Sequence, residues 1–576
     1  MTMKRKFAHK LRATALILAG VGVMAWTTTA CSEDGTELSS PTYKNGVVVT
    51  AHPEASKVGL EVLKNGGNAV DAAVAVKFAL AVVYPNAGNL GGGGFMVYRS
   101  GDGETAGLDF RETAPGQAYR DMYLDEEGNP IAELSLRGQL SAGVPGSVDG
   151  MVKAHARYGT MDWAALLEPA IQLAQNGFPL TERQATELNR RKQTFEKYNP
   201  NGTALLKAEG EWAAGDLLIQ EELANTLIQI RDKGRAGFYE GEVAELIVAE
   251  MQRGNGIISL KDLKNYEAKW RDPVIGTYRG HKVISMSPPS SGGVGLLALL
   301  KSVEAFPLSQ WGFQSDSTVR VMVEAERRVY ADRAAHLGDP DFYDVPQSTL
   351  IDSAYNAARM HSMDFSQASL SDEIFAGEIA APESEETTHY SIVDKDGNAV
   401  SITTTINDSY GSHVVVDGAG FLLNDEMDDF SAKPGSPNLY GLLGGEANAI
   451  QPGKRMLSAM TPTILEKDGQ LFMVVGTPGG STIITSVFQV ILNVVDFGMD
   501  MQQAVDAPRF HHQWKPEHIS PENVAIDSLT RLSLEASGYT FVNRGNIGRV
   551  DAILILPDGR KQGGADPRGD DVAMGY

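Results

Sequence analysis

The sequence predicts a mixed α/β (α+β) fold in which β-sheets are covered by layers of helix. After Thr387, alternating apolar and polar residues flank an Asp-Gly turn in THYSIVDKDGNAVSITTT, which is typical of a β-hairpin. The apolar helical segment STIITSVFQVILNVVDFG lies between later strand pairs, and residues 150–270 are mainly amphipathic helix. Strand pairs that alternate with helical segments favour sheets packed against helices.

The elements before Thr387 follow from local signals. VGLEVLKNGG predicts a helix that ends at Gly66 and Gly67, and NAVDAAVAVKFALAVV predicts a buried helix capped by Asn68. GNLGGGGFMVYRS predicts a turn in which glycines permit close backbone approach, followed by a strand. No Lys-Ser/Thr pair follows these glycines, so the turn is not a phosphate loop. HKVISM predicts a strand that a turn joins to the helix LLALLKSVEAF, and residues 316–339 predict another helix.

The elements after the first hairpin are further strands. HVVVDGAGFLLN, TPTILEKDGQLFMVVGTPG and AILILPDGRKQGGAD each predict strands with Asp-Gly turns. By contrast, residues 366–386 are rich in Ser, Glu and Pro and show no periodicity, which predicts an exposed and mobile segment.

The charge of the chain excludes one broad class of function. The formal net charge is −23, and residues 1–30 carry five cationic and no acidic side chains, so the remainder carries −28. Such a surface repels phosphate backbones, and we expect no nucleic-acid partner. An anion site in this protein must therefore be built locally from a few cations.

The N-terminus predicts export. A basic segment, a short apolar segment and TTTAC follow one another, which is typical of a signal over residues 1–30. The pattern resembles a bacterial lipoprotein signal, which implies lipidation of Cys31, a tether over residues 31–45 and a place in the periplasm or cell envelope. Thr28 departs from the usual Leu, and a plain secretory signal is the alternative. Cys31 is the single cysteine, so no intrachain disulfide is possible, and contact with the membrane is expected only through the lipid.

The boundary between Glu386 and Thr387 raises a chemical question. A threonine hydroxyl is a weak nucleophile that needs a base beside it. Cleavage before Thr387 would supply one, since the new α-amine has an unperturbed pKa of roughly 7.7–8.0. The other interpretation is an ordinary loop that meets a β-hairpin.

Long ordered motifs favour the first interpretation. TTHYSIVDKDGNAVSITTTIN, LLNDEMDDFSAKPGSPNLYG, KRMLSAMTPTI, GTPGGS and APRFHHQW follow one another after residue 386, and GGNAVDAAVA, GGGGFM, DFRETAP, SAGVPGSVDG, PPSSGG and DRAAHLGDPDF precede it. Together they closely resemble the γ-glutamyltransferases (γ-glutamyltranspeptidases), which are N-terminal nucleophile hydrolases. The resemblance extends from about Gly46 to Tyr576.

The resemblance implies a four-layer αββα fold and self-cleavage at Glu386–Thr387. The products would be a large subunit, residues 46–386, and a small catalytic subunit, residues 387–576, which together form one αββα unit. It implies transfer of a γ-glutamyl group from glutathione-like donors to water, amino acids or peptides, without a metal or organic cofactor.

The resemblance also implies roles for individual residues. Thr387 would be the nucleophile, Thr405 a second threonine in contact with it, and Tyr440 part of a lid over the site. The amides of Gly479 and Gly480 would form an oxyanion hole. The donor's α-amino group would be held by Asn407, Glu426 and Asp429. Its α-carboxylate would be held by Arg111 and Ser458.

The chemistry of these residue types agrees with those roles. Carboxylates suit the donor's ammonium, and the fork of an arginine can bind both oxygens of its carboxylate. Amides exposed by PGG after a strand suit an oxyanion. The alternatives are structural: NDEMDD as a solvated acidic turn, Arg111 as a surface ion pair and PGG as a plain turn.

Two positions depart from the family pattern. Ala459 follows Ser458 where many members have a second serine, and Thr482 stands where bacterial relatives commonly have arginine. The first change removes a hydroxyl that binds the donor, and the second weakens packing or subunit contacts. The missing hydroxyl motivates a rival function, an amidase of the same fold for another acyl group, of the glutaryl or cephalosporin acylase type. A second rival is an uncleaved, inactive scaffold.

Three histidines were considered as metal ligands or as a catalytic base. The pair His511-His512 has no matching ligand spacing, and its side chains point apart on a strand, so we expect a structural role and no metal site. His389 lies on the opposite strand face from Thr388, and we expect it to pack or cap.

Overall fold

The computed structural model describes residues 38–375, 387–431, 433 and 445–576. Cys31, Glu386 and Tyr440 lie outside these ranges, as does the predicted signal. Within the described ranges, no helix has both the length and the apolar character needed to cross a bilayer.

Eighteen strands run through the described chain, and fourteen of them form two large sheets. The first sheet has the order β1-β17-β16-β13-β12-β9-β8 and the second β18-β2-β10-β11-β3-β4-β7. Strands β5–β6 and β14–β15 form separate pairs. In chain order the strands are β1 Thr42–Tyr43, β2 Val47–Thr50, β3 Gly93–Arg99, β4 Thr105–Asp109, β5 Phe178–Pro179, β6 Leu217–Leu218, β7 Lys269–Arg271, β8 Val274–Tyr278, β9 His281–Ser285, β10 Thr388–Val393, β11 Ala399–Thr405, β12 Thr463–Lys467, β13 Gln470–Gly476, β14 Phe510–His511, β15 Ser520–Pro521, β16 Asp551–Ile555, β17 Lys561–Gly564 and β18 Val572–Gly575.

Helices precede, separate and follow these strands. They are α1 Pro53–Lys64, α2 Ala69–Val83, α3 Ala132–Leu136, α4 Ser147–Tyr158, α5 Trp163–Asn176, α6 Glu182–Tyr198, α7 Glu221–Lys233, α8 Ala236–Tyr239, α9 Gly241–Arg253, α10 Leu260–Asn265, α11 Gly292–Val303, α12 Leu308–Trp311, α13 Asp316–His336, α14 Gln347–Leu350, α15 Ser353–Met360, α16 Thr482–Val495, α17 Met501–Asp506 and α18 Ser528–Ala536. Short 3₁₀ helices span Gln139–Ser141, Glu426–Asp429 and Glu446–Asn448.

The two sheets stack face to face between two helical layers. Because strand side chains alternate between faces, Val47 and Val49 of β2 enter a core between the sheets, whereas Val48 packs toward the helices. Helices α1, α2, α5 and α7 share the core of the second sheet, and α11, α13 and α16 share that of the first. The four-layer αββα fold is confirmed.

Both large sheets combine strands from either side of the predicted cleavage point. In the second sheet, β10 pairs with β2 and β11, and β11 pairs with β3. In the first sheet, β12 pairs with β9. Two chains produced by cleavage before Thr387 would therefore stay joined by sheet hydrogen bonds and shared cores.

Local signals account for most of the elements. Asn68 caps α2 through a capping box with Asp71, as predicted. The helix is buried on all sides because it lies between α1 and the second sheet. Strand β10 begins at Thr388, and its turn to β11 contains the Asp-Gly pair Asp396-Gly397.

Two expectations need correction. HVVVDGAGFLLN is not a strand pair: its one internal bridge joins Val415 to Leu422 inside a buried loop, because Gly418 and Gly420 adopt positive φ and turn the chain away from a ladder. Folded structure begins before Gly46, because β1, which lies within the predicted tether, pairs with β17.

The segment over residues 366–386 is mostly exposed where the structure describes it, with one buried anchor point. In its described part, Ser371 is buried, and its backbone amide donates to Glu517 at 2.5 Å. The indole of Trp514 donates to the Ser371 carbonyl oxygen at 2.8 Å. These contacts anchor Ser371, whereas most of its described neighbours are exposed, as the composition predicts.

Candidate active site

Thr387 lies directly before the first residue of β10, beside the last residue of β11. Its neighbour Thr388 pairs with Thr404 in an antiparallel register, so the next position along places Thr387 opposite Thr405. Thr387 is 5% exposed. On the other side of β11, Thr405 pairs with Gly93, and a Cβ at Gly92 would lie 2.1 Å from the Thr405 carbonyl oxygen. The glycine-rich turn is therefore required for close backbone approach to the site.

A small cavity of about 10 Å³ gathers the predicted donor-binding residues around Thr387. We call it the donor pocket. Gly480 lies at one side of it, next to Ala459 and Met460 of the segment that precedes β12. Apart from Tyr440, which lies outside the described residues, the side chains that the sequence predicted here line the pocket, namely Arg111, Thr405, Asn407, Glu426, Asp429 and Ser458.

Arg111 is the centre of a buried ion network. Its two terminal nitrogens pair with Glu426 and Asp429, and Nη2 also donates to the Leu457 carbonyl oxygen at 3.1 Å. All three charged side chains are at most 6% exposed. The alternatives of a surface ion pair and a solvated acidic turn are therefore wrong.

Carboxyl groups outnumber the cation in this network. Glu112 lies 3.6 Å from Arg111, and neither of its carboxyl oxygens has a hydrogen-bond partner within the described residues. Burial raises the pKa of Glu112 to about 7, and Arg111 opposes that shift. Burial also raises the pKa of Glu426 well above its usual value. An additional cation, such as a ligand ammonium, would be favoured among these carboxyl groups.

Asn407 is held rigidly beside the threonine pair. Its backbone is in the left-handed region with φ 75°, and its amide nitrogen donates to Thr405 Oγ1 at 2.8 Å. Its side-chain Nδ2 donates to the Asp425 carbonyl oxygen at 3.0 Å. A non-glycine residue at positive φ is uncommon, and this one lies at the end of β11 where the chain leaves the sheet.

A polar network behind β11 was not predicted from the sequence. Lys77 of α2 is fully buried, and its Nζ donates to Asn89 O at 2.9 Å, Asn89 Oδ1 at 3.0 Å and Thr404 Oγ1 at 2.9 Å. Asn89 Nδ2 donates in turn to the Thr405 carbonyl oxygen at 2.9 Å. The only signal for it in the sequence is a lysine in the apolar stretch of α2 that follows Asp71.

The paired glycines lie in a tight turn between β13 and α16. Gly479 has φ 134° and Gly480 has φ 54°. A Cβ at Gly479 would lie 2.5 Å from Thr482 Oγ1, and that hydroxyl donates to the Gly479 carbonyl oxygen at 2.7 Å. Thr482 is buried and closes this turn. Backbone amides presented this way suit a developing oxyanion.

A second and larger cavity, of about 250 Å³, opens on the other side of Thr387. We call it the basic chamber. Gly479 lines the chamber, whereas Gly480 lines the donor pocket, so the glycine pair and Thr387 lie at the junction of the two cavities. The sequence did not predict the chamber, whose charged lining residues are Arg183, Glu187, Arg190, Arg544, Arg549 and Arg568.

The histidines have structural roles. His389 is buried, with Nδ1 2.9 Å from Thr403 Oγ1 and Nε2 3.0 Å from Ser391 Oγ, and burial lowers its pKa to about 3. His511 Nδ1 lies 2.8 Å from Thr485 Oγ1. Within the part of the chain that the structure describes, no group of three or more His, Cys, Asp or Glu could hold a metal ion.

The four layers, with a threonine at the start of a central strand, define the class of N-terminal nucleophile hydrolases. The chain shares its fold with the crystal structure of cephalosporin acylase from Bacillus halodurans, with a TM-score of 0.81 and 26% sequence identity. The match covers 97% of this chain and 99% of that one.

The chain belongs to the γ-glutamyltranspeptidase family, whose model matches residues 55–576. It is 46% identical over 535 residues to the glutathione hydrolase proenzyme of Escherichia coli (strain K12), and the match covers 92% of each chain. It is 34% identical over 542 residues to the acylase ACY 1 proenzyme of Pseudomonas sp. (strain V22), which covers 93% of this chain and 94% of the relative. The resemblance of the motifs is confirmed.

Proposed function

We propose that this protein is a self-cleaving γ-glutamyltransferase and glutathione hydrolase. The observation that carries the proposal is the donor pocket, in which Arg111 and the carboxylates of Glu426 and Asp429 face Thr387. A γ-glutamyl group has an ammonium and a carboxylate at the end remote from the scissile bond. Family membership and the 46% identity to a glutathione hydrolase proenzyme support the same reaction.

Self-cleavage creates the catalyst. Thr387 Oγ attacks the carbonyl carbon of Glu386, the C–N bond breaks, and the chain is joined through an ester. Water then hydrolyses the ester, which releases the Glu386 carboxylate and leaves Thr387 with a free α-amine. The amine in its neutral form is the base that the hydroxyl needs.

Acyl transfer then proceeds in two balanced steps. The α-amine takes the Thr387 hydroxyl proton as Oγ attacks the γ-carbonyl carbon, and the amides of Gly479 and Gly480 stabilise the oxyanion. The amide C–N bond breaks, and the leaving amine takes that proton. In the second step, water or an acceptor amine attacks the ester, gives its proton to the α-amine, and the C–O bond breaks to restore the Thr387 hydroxyl.

The other polar groups of the donor pocket bind and orient. Arg111 and Ser458 hold the donor's α-carboxylate, and Glu426, Asp429 and Asn407 hold its α-ammonium. Thr405 Oγ1 accepts a hydrogen bond from the Asn407 backbone amide, and Thr405 would be the second threonine in contact with Thr387. The resemblance also implies a lid role for Tyr440, which lies outside the described residues.

Cleavage is tested by the intact mass and N-terminal sequence of the purified protein from residue 32 onward. We expect two chains, one beginning TTHYSIV, and the variant Thr387→Ala to stay whole. Thr388→Val is the matched control, since the Thr388 hydroxyl has no hydrogen-bond partner within the described residues, and it should still cleave. A wild-type chain that is folded but not cleaved would contradict the proposed enzyme and favour the inactive scaffold.

The second candidate is an amidase for an acyl group without an α-amine, such as glutaryl. Ala459 in the donor pocket and the similarity to two acylases favour it. Comparing hydrolysis of γ-glutamyl and glutaryl anilides separates the two functions. We expect a preference for the γ-glutamyl anilide, because only that substrate offers an ammonium to Glu426 and Asp429. Equal or faster glutaryl hydrolysis would favour the amidase.

We also propose export and a lipid anchor at Cys31, on the pattern of residues 1–31. Cell fractionation tests the anchor. Wild-type protein is expected in the membrane fraction and Cys31→Ser in the soluble envelope fraction, with Ser32→Ala as a control that stays with the membrane. Identical distribution of wild type and Cys31→Ser would show that Cys31 carries no anchor.

A further inference from the structure

Ser458, Ala459 and Met460 form one wall of the donor pocket, and neither a helix nor an extended strand fixes them there. The segment that carries them makes a single isolated bridge, between Ser458 and Ser290, and β12 begins only at Thr463. A segment without a ladder of its own must find partners for its backbone groups elsewhere. Those partners therefore decide where the Ser458 hydroxyl lies in the pocket.

The partner of this segment is the turn that enters α11. The Ser458 amide nitrogen donates to the Pro289 carbonyl oxygen at 3.1 Å, and the Ser291 amide nitrogen donates to the Ser458 carbonyl oxygen at 2.6 Å. Ser290 Oγ donates to the Met460 carbonyl oxygen at 2.5 Å. Ser290 and Ser291 are both fully buried. The proposed cleavage would place the turn in the large chain and the pocket wall in the small chain, so one chain would hold the donor pocket of the other.

The Ser291 hydroxyl is fixed from two sides. Its Oγ donates to the Ser458 carbonyl oxygen at 2.6 Å, and Arg333 Nε of α13 donates to the same Oγ at 2.8 Å. An arginine has no acceptor, so the Ser291 proton lies in the bond to Ser458. Arg333 is 3% exposed. A buried cation polarises the hydroxyl that accepts from it and strengthens the bond that this hydroxyl donates.

The Ser458 hydroxyl keeps its own proton for a ligand. Its Oγ accepts a hydrogen bond from the Met460 amide nitrogen at 3.2 Å, and the proton has no acceptor in the part of the chain that the structure describes. Arg111 Nη2 donates to the carbonyl oxygen of the preceding residue, Leu457, at 3.1 Å. One short segment thus fixes both groups that are proposed to hold the donor's α-carboxylate. Ala459 supplies no second hydroxyl that could compensate for a misplaced Ser458.

We propose that Ser291 is a positioning residue for the donor: with Arg333 behind it, it places the Ser458 hydroxyl against the donor's α-carboxylate. Ser291 is not among the residues that line the donor pocket, so it acts on the donor only through Ser458. The inference rests on the proposed function and adds to it a residue before the cleavage point that favours donors with an α-carboxylate. A Ser291 that merely stabilised the fold would affect unfolding but would not be coupled to Ser458 in binding.

The test is a double-mutant cycle on the cleaved protein, with hydrolysis of a γ-glutamyl anilide and competitive inhibition by L-glutamate as readouts. Binding of L-glutamate involves no chemistry and reports on the pocket alone. Ser458→Ala loses a hydrogen bond to a charged group and should lower kcat/KM about tenfold to hundredfold. Ser291→Ala should lower kcat/KM about fivefold to twentyfold, with kcat within about threefold of the wild-type value, and should raise the inhibition constant of L-glutamate by the same factor as kcat/KM falls.

The double variant Ser291→Ala/Ser458→Ala decides between positioning and an independent role. Its kcat/KM should lie within about twofold of that of Ser458→Ala alone, because Ser291 then has no hydroxyl left to place. Two effects that multiply to their full product would show that Ser291 acts elsewhere and would overturn the proposal. A wild-type value of kcat/KM in either single variant would overturn it too.

Ser302→Ala is the matched control. Ser302 lies on α11, the helix that follows Ser291, and it is similarly buried, but its hydroxyl has no hydrogen-bond partner within the described residues. Its loss should leave kcat/KM and the inhibition constant of L-glutamate within about twofold of the wild-type values. A fall as large as that of Ser291→Ala would mean that the loss of any buried hydroxyl near this helix disturbs the pocket, and it would overturn the specific role.

Arg333→Lys is the second variant, and it decides if Ser291→Ala does not fold. Lysine keeps the charge but loses the geometry of the guanidinium, so kcat/KM should fall about threefold to tenfold. The effect should vanish when Ser458→Ala is also present. An effect that stays the same with and without the Ser458 hydroxyl would contradict action through Ser458.

The proposed function and the positioning role fail in different ways. If the cleaved wild type hydrolyses the γ-glutamyl anilide but the cycle shows no coupling, the role of Ser291 is wrong and the proposed function stands. If the cleaved wild type hydrolyses no γ-glutamyl compound, the proposed function is wrong and the role of Ser291 falls with it.

Discussion

The substitution Lys77→Met should lower catalysis without lowering stability. The Lys77 ammonium is buried under the end of β11, where it donates three hydrogen bonds, to two oxygens of Asn89 and to Thr404 Oγ1. Methionine has a similar length and leaves the volume nearly unchanged. We expect kcat to fall about tenfold to hundredfold, with KM within about threefold of the wild-type value.

The expected stability follows from two opposing contributions. Burial lowers the pKa of Lys77 from 10.5 to about 7, which means that folding disfavours its protonated form and costs about 4 kcal/mol at pH 7. This cost is fully present below pH 7 and disappears as the pH rises to about 10.5. The substitution removes it but loses three hydrogen bonds from a charged donor, worth about 4–5 kcal/mol together at about 1.5 kcal/mol each. The two contributions cancel to within about 1 kcal/mol.

The expected loss of kcat follows from position. Thr404 and Asn89 are linked to Lys77, and Asn89 fixes the Thr405 carbonyl oxygen at 2.9 Å. Without the ammonium, the end of β11 can shift relative to Thr387. A misplacement of about 1 Å at a reacting group costs about a hundredfold in rate. Lys77 is thus a positioning residue, which touches neither the donor nor the nucleophile.

The assay combines thermal unfolding with steady-state hydrolysis of a γ-glutamyl anilide by the cleaved protein. Tm should change by less than about 3 °C, and kcat should fall as stated. Lys57→Met on the exposed face of α1 is the control and should change neither quantity. A variant with kcat within twofold of the wild type would refute the positioning role. A Tm fall above about 10 °C would refute the cancellation.

Four further substitutions test the donor pocket and the glycine turn by hydrolysis of the γ-glutamyl anilide. Arg111→Lys keeps the charge but loses the fork, and we expect kcat/KM to fall about a hundredfold or more, mainly through KM; a fall below fivefold would contradict the carboxylate role. Ala459→Ser adds a hydroxyl at the donor pocket and should lower KM about twofold to tenfold, whereas an unchanged KM would mean that this hydroxyl makes no donor contact. Gly479→Ala should reduce kcat about a hundredfold or more because of its φ of 134° and the contact with Thr482, and near-normal kcat would place the oxyanion site elsewhere. Burial raises the pKa of Glu112 to about 7, so its negative charge is lost as the pH falls through 7, and KM for the ammonium-bearing donor should rise. Glu112→Gln should show the high KM at pH 6 and at pH 8. A variant that keeps the wild-type pH dependence of KM would exclude Glu112 as the group that causes it.

The sequence by itself determined the elements and the order of the motifs. The Asp-Gly turn of the β10–β11 hairpin, the Asn68 cap and the helix α16 depend on residues within a few positions of one another, and such local signals act before any tertiary contact forms. The same is true of the position of Thr387 directly before strand β10. The resemblance of long motifs added the layer order and the members of the donor pocket, which periodicity alone does not show.

The tertiary structure decided which side chains are buried, which distant residues are in contact and which groups have shifted pKa values. Arg111 joins Glu426 across 315 positions of the chain, and Glu112 and Lys77 gain shifted pKa values only because packing removes water around them. The basic chamber likewise combines α6 with a segment more than 350 residues later. These properties arise from contacts between distant segments and from desolvation, neither of which is encoded in the spacing of neighbouring residues.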